Sequence, residues 1–348
     1  MGVMSRITVR TPSLARPANE SHMTMEPSVP KPTCSLSLDL DNLWSYLKTH
    51  GEAGWDEYPT YLGSVVPRVL KFLAERDLKI TWFLVGKDAA DPQHADTLRS
   101  ITDAGHEVGN HSFHHEPWLH LYSEDEIRDE LRRTEEAIEG ATGVRPTGFR
   151  GPGFSHSPAL LKVLAERGYA YDCSTFPTFL GPLARLYYLA TAKGLSAEER
   201  AKRKKLFGRF TDGFRPLKPF EWNTPAGPLL EIPVTTMPMF KAPIHVSYLL
   251  YLAGYSRTLA MFYWRTALAL CRATDTELSL LLHPLDFMGS DDTDRLAFFP
   301  AMKRPHGPKV GLVGTFFDRL QAHFDCVPMG EHAARIRRNA ILIDAKKG

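Results

Sequence analysis

The sequence predicts an α/β fold built on a mostly parallel sheet, open or closed into a barrel. Two patterns carry that prediction. Short runs rich in leucine, β-branched and aromatic residues alternate with longer stretches whose apolar residues recur at helical spacing. Several of the runs end in Asp, His, Arg or Gly, at the strand ends where α/β folds place their sites. With 348 residues the chain has enough length for a sizeable core, in one large domain or two medium ones. Its 43% hydrophobic and 24% charged residues are the balance of an ordinary globular protein.

Taken in order, Cys34–Leu40 reads as a buried strand ending in acidic residues. Tyr61–Arg76 follows as a helix, with Leu62, Val65, Val66, Val69 and Leu73 on one side. Ile80–Val85 is β-branched and aromatic, hence a strand, and Gln93–Ala104 the next helix. His106–Asn110 is a short strand. Ser123–Glu139 begins with Ser and carries Glu126 three residues later, the pattern of a capping box. Thr147–Arg150 and Pro158–Arg167 add a strand and a helix, and Leu229–Val234 and Leu278–His283 two more strands. Arg257–Arg272, Pro308–His323 and Glu331–Arg338 complete the helices. Between about Leu180 and Asn223 the alternation breaks around a basic run from Arg200 to Arg209. This stretch reads as a partly helical insertion in a single domain over residues 32–348.

Several function classes are excluded or disfavoured. A formal net charge of +2 carries no global nucleic-acid or membrane signature. Cys34, Cys173, Cys271 and Cys326 are too scattered for a disulfide scaffold or a structural zinc knot, and suit a reducing cytosol. The first 33 residues contain no apolar run long enough for a signal-peptide core, and residues 1–31 read as a mobile tail. The gap from Lys241 to Arg257 is too short for the roughly 20 apolar residues of a bilayer span. No strand is followed by a Gly-rich phosphate loop. The expected location is therefore cytoplasmic.

Four strand ends carry the candidate chemistry. His111 and His115 lie four residues apart, so a helical turn or a tight loop can aim both imidazoles at one point. Asp39 and Asp41 fall on the same face of an extended chain, and two neighbouring carboxylates can divide the work of cation ligand and base. In Phe149-Arg150-Gly151-Pro152-Gly153-Phe154 the glycines allow close backbone approach, and Arg150 can clamp a carboxylate. His283 ends an entirely apolar strand. Each motif alone has an ordinary structural explanation. Together they supply what metal-assisted hydrolysis requires: two imidazoles and a carboxylate, a base, an orienting Arg and an acid.

With these motifs the sequence resembles the polysaccharide deacetylases, the nodulation-type chitooligosaccharide and peptidoglycan deacetylase superfamily, over roughly residues 34–175 and 229–290. The resemblance implies an irregular (β/α) barrel with fewer strands than eight, and removal of an N-acetyl group from an amino sugar. It implies Asp41, His111 and His115 as ligands of a divalent metal, for which two His and one Asp suit Zn²⁺ best. It further implies Asp39 as general base, Arg150 as its orienting partner and His283 as general acid. Gly153 and Phe154 would serve the oxyanion and a substrate wall. Tyr171-Asp172-Cys173-Ser174 stands where the family carries a Trp-containing motif, and Asp172 and Asp286 are rival carboxylates for orienting His283.

The expected partner is an N-acetylated sugar or glycan, free, nucleotide-linked or lipid-linked. Arg257, Arg265 and Arg272 fall on one side of a helix beside Leu259, Met261, Phe262 and Trp264. That pattern fits either a peripheral membrane contact or an ordinary outer helix. A deformylase or amidase acting on another C–N bond, and a catalytically silent carbohydrate-binding module, are the competing functions. Oligomeric state is unmarked.

Overall fold

In the computed structural model of the protein, which describes residues 30–183, 210–336 and 341–344, β1 (Thr33–Asp39) is buried along its whole length. Its alternation divides the labour between two faces. Cys34, Leu36 and Leu38 join the main apolar core, whereas Ser35, Ser37 and Asp39 face a polar interior. Ser35 there meets His332, and Ser37 and Asp39 meet Arg150.

Around this strand the sheet runs in chain order. β2 (Thr81–Leu84), β3 (Glu107–Asn110), β4 (Gly148–Phe149) and β5 (Tyr171–Asp172) pair in parallel, each with the next, and β2 pairs with β1. β6 (Phe220–Thr224) and β7 (Gly227–Glu231) form an antiparallel hairpin, of which β7 pairs in parallel with β5. β8 (Leu278–Leu282) returns to the other edge of β1, from Cys34 opposite Leu278 to Leu38 opposite Leu282. Along the main ladder seven strands thus share one direction, β1–β5, β7 and β8, consistent with the irregular barrel of fewer than eight strands, and β9 joins them off that ladder. The strand ladder is interrupted between β7 and β8. There Thr235 spans the gap, donating its N–H to Ser279 O at 3.0 Å and accepting from Ser279 N at 2.8 Å. β9 (Asp325–Val327) pairs with the start of β1, and β10 (Ile341–Asp344) with β6.

The helices follow the expected periodicities to within a few residues: Leu62–Ala74, Ala95–Asp103, Glu124–Thr142, Pro158–Glu166, Arg257–Ala273, His306–His323 and Met329–Arg335. Ser123 and Glu126 form the capping box, and Gly143, in the left-handed conformation, ends that helix. Among the described residues three α-helices lie outside the expectation, Leu43–His50, the single turn Gly86–Ala89 and Val246–Tyr255. So does β6, whose Phe220–Asn223 portion had been assigned to the insertion; Phe220 and Trp222 are buried against the helix Pro158–Glu166, so apolar burial made a strand there. The expected tail up to residue 29, and residues 184–209 of the expected insertion with its basic run, lie outside the described residues. Among the described residues no helix is long and apolar enough to cross a membrane.

Candidate metal centre and active site

The four polar motifs emerge at the carboxyl ends of β1, β3, β4 and β8, which the parallel register brings to one end of the sheet. After β1, Leu40 continues the pairing through its N–H to Phe83 O, and Asn42 then caps the helix Leu43–His50. The Asn42 side chain is itself fixed, accepting from Leu43 N at 2.8 Å and donating to Asp88 Oδ1 at 2.8 Å. Asp41 is therefore held just ahead of a helix start, and Tyr61 donates its hydroxyl to the Asp41 carbonyl.

The His111–His115 segment is a tight loop rather than a helical turn, because Ser112 and His115 adopt positive φ of 60° and 52°. Buried Glu130 secures it, accepting from the backbone N–H of Phe113 at 2.7 Å and of His114 at 3.1 Å. Glu130 also engages the His114 ring, which takes that imidazole away from Asp41. The two remaining rings converge. His115 Nε2 lies 2.8 Å and His111 Nε2 3.4 Å from Asp41 Oδ1, and the three prospective ligand atoms lie within 4.8 Å of one another.

The tautomer of His111 follows from its neighbour. His111 Nδ1 sits 2.6 Å from the carbonyl of Arg150, which can only accept, so Nδ1 carries the hydrogen and Nε2 keeps its lone pair. Asp41 Oδ1 is buried and has no hydrogen-bond donor. A buried carboxylate oxygen without a donor, facing an imidazole lone pair, is costly unless a cation joins them. The donor set thus fits a divalent ion with two nitrogen and one oxygen ligands. Burial opposes ionisation of Asp41, but His115 and His111 hold its carboxyl well below the usual range. Burial likewise opposes charge on His111, yet Asp39 and Asp41 raise its pKa.

Beside this centre Asp39 accepts from Arg150 Nη1 at 2.7 Å. Arg150 is fully buried and also donates to Ser37 Oγ at 2.8 Å and Cys173 O at 3.2 Å, while its guanidinium lies over the Phe83 ring. The segment after Arg150 turns sharply. A side chain at Gly151 would run into Ser155 O, and Gly153 has φ of 58°. Phe154 stacks on Phe176, with centroids 4.8 Å apart.

At the fourth strand end, His283 Nδ1 lies 3.1 Å from Ser247 Oγ, and Ser247 donates to Asp286 Oδ1 at 2.7 Å. Asp286 Oδ2 accepts from the backbone N–H of His283 at 2.8 Å. Burial pushes the Asp286 carboxyl up, against the pull of His283 and Ser247. Of the two rival carboxylates, Asp286 is the one joined to His283. Asp172 is directed elsewhere: it accepts from Ser174 Oγ at 2.5 Å, and burial together with Glu231 raises its pKa well above the usual value. Ser174 in turn accepts from Gly151 N at 2.8 Å, so Asp172 supports the turn after β4. Sequence reasoning missed Ser247 and Glu130. Ser247 lies in an apolar helix without a motif, and Glu130 resembles any other acid of a charged helix.

A polysaccharide deacetylase family model matches residues 53–171, a span that holds His111, His115 and Arg150. The chain is 32% identical over 144 residues to the peptidoglycan deacetylase of Helicobacter pylori, covering 40% of this chain and 48% of that protein. It is 34% identical over 111 residues to the peptidoglycan-N-acetylmuramic acid deacetylase PdaA of Bacillus subtilis, covering 31% of this chain and 41% of that one. The chain thus spans about half the length, or less, of these curated relatives. Its fold resembles a crystal structure from Mycobacterium smegmatis whose own assignment as a polysaccharide deacetylase is provisional. The TM-score is 0.58 at 24% identity, over 90% of this chain and 94% of the other.

Proposed function

We propose that this chain, which belongs to the polysaccharide deacetylase family, is a metal-dependent hydrolase that removes an N-acetyl group from an amino-sugar-containing substrate. The observation that carries the reading is the convergence of Asp41 Oδ1 with two imidazole nitrogens, next to an Arg-held second carboxylate. When bound by Asp41, His111 and His115, a divalent ion, best Zn²⁺, supplies a Lewis acid that polarises the amide carbonyl and acidifies water.

The chain's own groups divide the proton transfers. Asp39 takes the proton from the attacking water, and Arg150 keeps that carboxylate oriented through the 2.7 Å bond. His283 delivers a proton to the leaving amine nitrogen. With Nδ1–H directed to Ser247 and onward to Asp286, its Nε2 is the nitrogen that serves the substrate. The Gly153 N–H is assigned to the developing oxyanion, and Phe154, backed by Phe176, to the wall beside it. A cytoplasmic location is part of the proposal, and the scattered spacing of the four cysteines suits it. A glycan borne on a lipid is the substrate form we favour, because Tyr251 and Tyr255 are exposed on the helix that carries Ser247.

Metal analysis of the purified protein beside single alanine variants tests the centre. Asp41→Ala, His111→Ala and His115→Ala should lose the ion, and His114→Ala should keep it. Asp39→Asn should retain the ion and lose turnover on an N-acetylated amino sugar; full activity in that variant refutes the base assignment. Parallel assays on formylated sugars and simple amides identify the acyl group. No turnover on any amide with the ion bound would make the chain a binding module.

A further inference from the structure

No Asp or Glu occurs between Glu231 and Asp275, in a chain that holds 40 acidic residues. The same stretch holds Lys241, Arg257, Arg265 and Arg272, and it folds into a hairpin and two helices on the outside of the barrel. The hairpin turns tightly, with Lys241 N donating to Met237 O and Met237 N to Ala242 O. Its tip presents Met239, 77% exposed, and Phe240, 65% exposed.

The helix Arg257–Ala273 packs Ala260, Trp264, Ala267, Leu268 and Cys271 inward, and Trp264 Nε1 donates to Phe316 O. At roughly 100° per residue, Phe262 falls near the centre of the opposite face, flanked by Leu259 and Arg265. Phe262 is 67% and Leu259 49% exposed, and Tyr255 before them is 74% exposed. Tyr263 joins the two elements by donating to Pro243 O at 2.8 Å, at the base of the hairpin. Core packing requires none of these outward apolar side chains, and their exposure on a stretch that carries cations and no acid needs another explanation.

We propose that this face, Met239, Phe240, Tyr255, Leu259 and Phe262 with Arg265 at its edge, seats the protein on the surface of an anionic lipid bilayer. Aromatic and aliphatic side chains enter the boundary between headgroups and acyl chains, and Arg265 meets a lipid phosphate. The argument for a bilayer is charge complementarity: the stretch that forms the face carries four cationic residues and no acid, where a second copy would set like charges against each other. The position also matters. Ser247 and Tyr255 lie on one helix, eight residues or roughly 12 Å apart along its axis, so the His283 end of the site stands close to the lipid surface. The inference deepens the proposed function by naming a lipid-borne glycan as substrate class, but binding to vesicles does not depend on turnover.

Flotation of the full chain with vesicles tests it, using phosphatidylcholine alone and phosphatidylcholine mixed with phosphatidylglycerol. Flotation is expected with the anionic vesicles only and should weaken as salt rises. Arg265→Gln should bind roughly fivefold more weakly. Phe240→Ser/Phe262→Ser should abolish flotation, with circular dichroism confirming that both variants are folded. Absence of wild-type flotation on anionic vesicles overturns the proposal, whatever the variants do. Equal flotation on neutral vesicles overturns it too. So does a dimer by light scattering that Phe240→Ser/Phe262→Ser dissociates, since the face is then covered by a second copy.

Discussion

Replacing Arg150 by Met isolates the interaction on which the base assignment depends. The guanidinium has no solvent exposure, and its 2.7 Å bond to Asp39 is joined by bonds to Ser37 Oγ and Cys173 O. Two unit charges about 4 Å apart interact by about 4 kcal/mol at an effective dielectric of about 20. Met fills most of the volume but leaves Asp39 buried without its counter-charge, which costs about 3–5 kcal/mol. Asp39→Asn should cost a similar amount, since it leaves the fully buried Arg150 guanidinium without its counter-charge. Combining both changes removes the uncompensated charge, so the double variant should be at least about 2 kcal/mol more stable than the sum of the singles implies. Urea unfolding of the four proteins measures this directly. Additivity within about 0.5 kcal/mol, the behaviour of independent sites, would refute a coupled buried pair.

Two further outcomes follow from the same geometry. Ser247→Ala breaks the link from His283 to Asp286 without touching a metal ligand. It should lower kcat about 10–100-fold with KM little changed, in parallel with Asp286→Asn, and steady-state kinetics on an N-acetylated amino sugar reads the split. Asp172 has its pKa raised well above the usual value by burial and Glu231, so the folded chain binds its proton more tightly than the unfolded chain does. That contribution is fully present below the unfolded value, about 4, and is lost as pH rises toward the folded value. Asp172→Asn should therefore flatten the decline of melting temperature between pH 4 and pH 8. An unchanged slope, followed by scanning calorimetry, removes this carboxyl from the pH dependence.

Much of this architecture was legible because period and chemistry coincide in one sequence. Leu36 and Leu38 alternate with Ser35, Ser37 and Asp39, so both the strand and the inward face of its acid could be read directly. Ser123 and Glu126 marked a helix start that formed as expected. His111 and His115, Arg150 and His283 ended elements whose type was clear from their apolar residues. Other features were hidden for physical reasons. Phe220 and Trp222 form a strand only because the helix Pro158–Glu166 covers them, a contact that crosses more than 50 positions. Leu43–His50 depends on an Asn42 cap whose side chain is itself positioned by Asp88, 46 residues away.

The sequence by itself determined the parallel α/β class, the strand ends at which chemistry gathers, and the residue types able to hold a cation and move protons. These are properties of spacing and side-chain chemistry along the chain. Only the tertiary structure decided among neighbours. It turned His114 to Glu130 and left His115 for Asp41, and it gave His283 to Ser247 and Asp286 while turning Asp172 toward Ser174 and Glu231. It also tied the base of the hairpin that bears Met239 and Phe240 to the helix that bears Phe262, through the Tyr263 hydroxyl and Pro243 O. Such choices rest on contacts of a few ångströms between groups distant in sequence, to which local periodicity is blind.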